Sequence, residues 1–237
     1  MTSETDLYLA DAIMGRPYGF TVGEKHFALY PVTLGKMYLL QRQLESLEVN
    51  LEGMKNVSSE ALRLAKEKKE ECLTIIAYHT CKTKDEIFNP SLISERKELF
   101  SKELSEEDIA ALMIIVLTSD KTELFIGYLG IDKEQQKLSV VMKAKAKGDK
   151  NSLSFGGRSV YGTLIDAASE RYGWTKDYIV WGIDYSSLRL MLADKLETVF
   201  VTDEERKNIP SWVFSDVGDA IKATRENMAQ IKSMDWK

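Results

Sequence analysis

The sequence predicts a mainly α protein, one or more multi-helix domains with a small N-terminal β-hairpin. Three observations carry this. Apolar residues recur at helical spacing along most of the chain, the single convincing strand signal is GFTVGEKHFALYP, and the sustained strand alternation of a parallel α/β sheet is absent. A length of 237 residues is enough to bury a sizeable core. No stretch approaches the ~20 consecutive apolar residues of a membrane span, so no membrane partner is expected. MTSETDLYLADAIMG lacks the basic start and unbroken apolar middle of a secretory signal, and Cys72 and Cys81 fall short of a disulfide framework. A cytoplasmic location is the expectation.

In the hairpin, Gly23-Glu24 is a Gly-first pair suited to a two-residue type II′ turn, and Pro31 closes the second strand. Thr33 is the expected N-cap of a helix on which Met37, Leu40, Leu44, Leu47 and Leu51 step by three, four, three and four. That seam is two heptads long and reads either as the inner face of a helix in its own domain or as an interface with a partner or a second copy. After a break at 50–59, SSEALRLAKEKKEECLTIIAYHT reads as one helix that starts in water behind serine caps and ends buried. FNPSLISERKELF gives a helix after Pro90. LSEEDIAALMIIVL opens on a Ser105-to-Asp108 cap and stops at Ser119 and Asp120. TELFIGYLG and DKEQQKLSVVMKAKAK continue the helical pattern to Gly148.

GDKNSLSFGG, 148–157, is the most loop-like stretch and the expected boundary between an N-terminal region 1–148 and a C-terminal helical region 149–237. Beyond it, RSVYGTLIDAASERYG, TKDYIVWGI, YSSLRLMLADKLETVFV and DVGDAIKATRENMAQIKSM all read as helices. Thr175 and Asp184 or Ser186 are the expected N-caps, and Gly173 and Gly182 the expected stops.

Chemistry is sparse. His26 falls in the hairpin, and His79 shares a helix end with Cys72 and Cys81, where a seven-residue spacing separates Cys72 from His79 by two turns. A buried structural role is expected for that trio. No paired short Cys or His spacing suits zinc, and no D-x-D spacing suits calcium. Gly157 and Gly162 have the gap of a phosphate loop, but Thr163 and Leu164 stand where Lys and Ser or Thr are required. No catalytic constellation emerges and no cofactor is expected. An unrecognised hydrolase or transferase site would need a pocket joining the 156–161 loop to Asp166, Glu170 and Arg171. The net charge of −5 argues against a dedicated nucleic-acid binder. The local exception is Lys137, Lys143, Lys145, Lys147 and Lys150, which reads as a phosphate-facing patch or as lysines complementing a helix C-terminus, with no aromatic interleaved for stacking.

Two stretches do carry a resemblance. FGGRSVYGTLIDAASERYGWTKDYIVWGIDYSSLRLMLADK, and upstream FTVGEKHFALYPVTLGKMYLL with its hairpin leading into a T-L-G helix, resemble the tail-assembly chaperones of tailed phages and prophages. The resemblance implies a non-enzymatic, soluble helper that binds the long helical tape-measure protein and recruits tail-tube subunits. No catalytic residues come with it. In that reading the seam Met37, Leu40, Leu44, Leu47 and Leu51 and the aromatics Trp174, Tyr178 and Trp181 divide between inter-helix core and partner surface. The competing readings are a nucleic-acid-associated phage protein using the Lys137–Lys150 patch, and another tail or injection-machine component.

Overall fold

A computed structural model describes residues 4–50, 56–146 and 157–214. It is mainly helical, and the sheet among the described residues is an antiparallel hairpin of β1 (Tyr18–Val22) and β2 (Lys25–Leu29), with Phe20 opposite Phe27 and Val22 opposite Lys25. Of the two turn residues only Gly23 has a positive φ, +59°, as a type II′ turn requires. Alternation puts Phe20, Val22, Phe27 and Leu29 on the covered side. There Phe20 and Phe27 stack at 5.8 Å, and Phe27 meets Phe100 edge-on at 4.9 Å.

The helices preceding and following the hairpin are α1 (Glu4–Ile13), α2 (Leu34–Ser46), α3 (Val57–Glu67), α4 (Lys69–His79), the single turn α5 (Lys84–Ile87), α6 (Pro90–Glu103), α7 (Glu106–Leu117) and α8 (Thr122–Leu129). Thr33 caps α2 by accepting from Lys36 N, and Ser105 and Asp108 form a reciprocal capping box on α7. The stretch expected to form one helix from the serines to His79 is instead two, α3 and α4, because Lys68 leaves helical geometry at φ −128°, ψ 39°. The cap of α3 is Asn56, which accepts from Ser59 N, and Ala61, Leu64 and Ala65 are already buried in that first helix. One core gathers these residues with Leu73, Ile75, Ile76, Phe100, Ile109 and Met113 under the hairpin.

Further along, a π-helical turn (Tyr161–Ile165) runs into α10 (Asp166–Tyr172), which stops at Gly173 with φ +65°. A second π-helical turn (Tyr178–Gly182) precedes α11 (Tyr185–Ala193), capped by Asp184 accepting from Ser187 N at 2.7 Å. The helix expected to continue to 201 stops at Ala193, where Asp194 leaves helical geometry at φ −86°, ψ 51°. Ile165, Ala168, Ile179 and Leu188 of this segment bury against Leu34 at the start of α2. Tyr185 N donates to Val32 O at 2.7 Å. Residues 4–129 and 157–195 therefore form one compact unit, where the expected division ran 1–148 and 149–237. A smaller unit consists of α9 (Ile131–Ala146) with 196–214, including α12 (Asp203–Lys207), around Ala144, Ile209 and Val213. Residues of the expected 148–157 hinge up to 156, and the expected last helix, lie outside the described residues.

Candidate partner-binding face

Helix α2 splits the leucine seam in two. Leu40 and Leu47 are fully buried, whereas Met37 and Leu44 are half-buried, and Leu51 lies outside the described residues. The helix ends at Ser46, Leu47 serves as its C-cap, and Glu48 turns the chain with a left-handed φ of +51°. Arg63 fixes this exit from α3: its guanidinium reaches Glu48 O at 3.2 Å while pairing with Glu60, whose Oε1 also accepts from Asn50 N at 2.8 Å. The Arg63 hydrogen bonds hold the Glu60 carboxyl below the usual carboxylate range.

On its other side α2 faces an open concavity of about 560 Å³ lined by Met37, Tyr38, Gln41, Leu44 and Glu45. Tyr38 is 49% exposed. Residues 37, 41 and 44 step by four and three, so Met37 and Leu44 lie on either side of the polar Gln41 along one side of the helix.

The aromatic window supplies what holds α2 at its start. Trp181 lies across Gly35: a Cβ built there would come within 2.5 Å of the indole ring, so only glycine accommodates the contact. The same indole meets Phe88 edge-on at 5.4 Å. Trp174 stacks on Tyr172 at 4.5 Å and meets Tyr178 edge-on at 5.1 Å. Tyr178, 45% exposed, covers Gly182, where a Cβ would lie 2.4 Å from its ring. Trp174 and Trp181 are thus half-buried packing residues, and Tyr178 has the most open face of the three.

Sequence reasoning passed over Lys36 and Gly35. Lys36 is 1% exposed, and its ammonium lies 5.9 Å from the Tyr30 ring centroid. Burial lowers its pKa to about 8, opposed by the pull of Cys81 and Glu86 and assisted by Arg96. The signal was in the spacing, since Lys36, Leu40 and Leu47 share one helix face. Around it, Arg96 Nη1 donates to Thr80 Oγ1 at 3.0 Å and to Cys81 Sγ at 3.3 Å, and its Nη2 lies 3.8 Å from Glu86. Burial also drives the His79 imidazole down to about 3, helped by the charge of Lys36, and lifts Cys72 to about 12 and Cys81 upward. At neutral pH these groups are a neutral imidazole and two protonated thiols in the core, poor material for a nucleophile and base pair.

Elsewhere, Lys137 pairs with Glu134 at 2.9 Å, and Lys145 reaches Phe200 O and lies 3.8 Å from Glu205. Lys143 is exposed, and Lys147 and Lys150 lie outside the described residues. Two lysines of the expected phosphate patch therefore already carry acceptors from the chain itself. Asp166, Glu170 and Arg171 are exposed on α10, with the Arg171 guanidinium over the Tyr172 ring. No group of three or more His, Cys, Asp or Glu among the described residues is placed to hold a metal ion. No described helix is long and apolar enough to cross a membrane. Comparison with protein families, curated proteins and solved structures gives no match, so the geometry of α2 is what a functional reading has to rest on.

Proposed function

We propose that this chain is a non-enzymatic assembly chaperone of a phage or prophage tail, acting in the host cytoplasm. It takes an apolar helical stretch of the tape-measure protein along the open side of α2 and helps bring tail-tube subunits to it. The observation that supports this reading is the split seam: α2 buries Leu40 and Leu47, while the exposed Tyr38 and the outer sides of Met37 and Leu44, each packed on its inner side against a core cluster, line an open concavity. A helix laid in a groove needs apolar anchors at spacings of three, four and seven with polar residues beside them, and Gln41 and Glu45 provide the polar edge. The resemblance of 20–40 and 155–195 to tail-assembly chaperones supplies the partner. In the fold the T-L-G sequence is the cap Thr33, the buried Leu34 and the glycine under Trp181.

Co-expression with the tape-measure protein encoded in the same gene cluster tests the reading. A raised soluble yield of the partner and a complex that survives gel filtration are expected. A partner that stays insoluble, with no complex formed, rejects it.

A further inference from the structure

Two side chains of the described residues stand out into solvent further than any other large apolar group. Leu196 is 90% exposed and Phe200 85%, within a stretch, 195–202, that is neither helix nor strand. Among the described residues, Leu196, Thr198, Val199 and Val201 make no backbone-to-backbone hydrogen bond, and the Phe200 carbonyl accepts from the Lys145 ammonium. The stretch is nonetheless held at both ends. Before it, Asp194 N donates to Leu190 O at 2.9 Å and closes α11; after it, Val201 packs against Ala144, Ile209 and Val213, and Thr202 caps α12.

An endoprotease takes its substrate as an added strand: backbone N–H and C=O groups pair with the walls of the cleft, and a pocket receives the side chain before the scissile bond. A segment that is already hydrogen-bonded has to open first, and the free energy of opening lowers its rate. Tyr18, Tyr38 and Phe88 are about half exposed, but they belong to β1, to α2 and to the cap of α5, where the backbone is paired. Leu196 needs no such opening. Lys145 holds the Phe200 carbonyl, which an enzyme has to polarise, and Val201 behind it is tied into a core; the Leu196 carbonyl has no such restraint among the described residues.

We propose that 196–200 is a processing site for an endoprotease with a large apolar primary pocket, cut on the carboxyl side of Leu196. Water adds across the Leu196–Glu197 amide, its hydroxyl going to the Leu196 carbonyl carbon and its proton to the Glu197 nitrogen. The bond lies just past Lys195, where the larger unit ends, so the cut severs 197–237 and leaves the larger unit, with the concavity on α2, uncut. The inference stands on the exposure and backbone of this stretch and does not depend on the chaperone reading.

The test treats the full native chain with limiting chymotrypsin and follows each cut by mass spectrometry. Every rate is divided by the rate for a free peptide carrying the same bond, which removes the enzyme's own side-chain preference. The ratio is expected to be highest after Leu196, lower after Phe200 and lowest after Tyr38 and Phe88. Low urea is expected to leave the Leu196 cut unchanged and to accelerate the cuts after Tyr38 and Phe88. Leu196→Asp puts a carboxylate into the apolar pocket and is expected to slow the cut about tenfold or more, at a wild-type melt. A ratio after Leu196 that any of the other three bonds exceeds, a Leu196 cut that quickens with low urea, or a Leu196→Asp chain cut there as fast as wild type overturns the proposal. So does a dimer of the free chain that Leu196→Asp dissolves, because a second copy would then cover the stretch.

Discussion

Helices α1 and α4 have nearly the same apolar content and opposite fates. ETDLYLADAI and KEECLTIIAYH each hold six residues of Leu, Ile, Tyr, Ala or Cys, yet α1 buries none and α4 buries Cys72, Leu73, Ile75, Ile76, Ala77 and His79. The difference lies in the neighbours. Helix α4 is packed by α2, α3, α6, α7 and β2, so every side of it except the first turn meets protein, whereas the main neighbours of α1 among the described residues are α8 and α11. Composition sets how much apolar surface a helix owns, and topology sets whether the chain itself covers it. Apolar surface is left over on α1 and on the outer side of α2.

Mutations on either side of this contrast should separate sharply. The largest effect belongs to Phe100→Ala, which empties the fully buried site where α6 meets both hairpin phenylalanines; a loss of about 3–5 kcal/mol is expected in urea unfolding. A loss under about 1 kcal/mol would mean that the hairpin is not held by this core.

Next come the buried titratable groups, which make the core pH-sensitive on both the acid and the alkaline side. Lys36 has a folded pKa near 8 against 10.5, so its charged form opposes folding in full below pH 8 and ceases to do so above 10.5. The Lys36 contribution is therefore expected to rise by about 3 kcal/mol across that interval, read as the difference between wild type and Lys36→Met, because Cys72, pushed up to about 12 from 9.0, lowers the stability of both proteins above pH 9; Lys36→Met should be the more stable of the two at pH 7. For His79 the folded pKa is also lowered, from 6.5 to about 3, so the unfolded chain takes up the proton that the core refuses. Stability should fall by roughly 1.4 kcal/mol for each pH unit below 6.5, and His79→Leu should remove that acid limb. Denaturant midpoints from pH 4 to 11 check both signs.

A smaller effect is expected at Gly35. The new methyl group of Gly35→Ala meets the Trp181 ring, costs about 1–3 kcal/mol and shifts the tryptophan emission, while Trp181→Ala in the same chain relieves the clash so that the two costs do not add. At the bottom of the scale, Leu7→Ser on α1 should move the melt by no more than about 0.5 kcal/mol.

Much of this fold was legible in sequence because its signals are local. The hairpin turn, the caps at Thr33, Ser105 and Asp184 and the stop at Gly173 each depend on a few adjacent residues, and each stands where the residue types place it. The break at Lys68 was not legible, since the run EKKEE has neither Gly nor Pro; the Lys68 ammonium lies 3.0 Å from Glu48, a residue twenty positions earlier. The early stop of α11 was not legible either, since 194–197 (DKLE) hold neither Gly nor Pro and continue the helical pattern. Of the candidate face, spacing gave the stripe but not which members the core would claim. That choice goes with Gly35 meeting Trp181 and with Lys36 on the inner side near Cys81 and Glu86, neighbours more than forty residues away in the chain.

The central claim is that the open side of α2 is a binding surface and not an unfinished part of the core. It is tested most directly by Tyr38→Glu and Leu44→Glu, each co-expressed with the tape-measure protein and each melted alone. Tyr38→Glu should keep the wild-type melt and lose the complex, because the charge is costly only when a partner closes over it. Leu44→Glu should lose the complex with at most a modest drop in melt, being half-buried beside the core. A complex that forms undiminished with Tyr38→Glu and Leu44→Glu, both folded, would contradict the account.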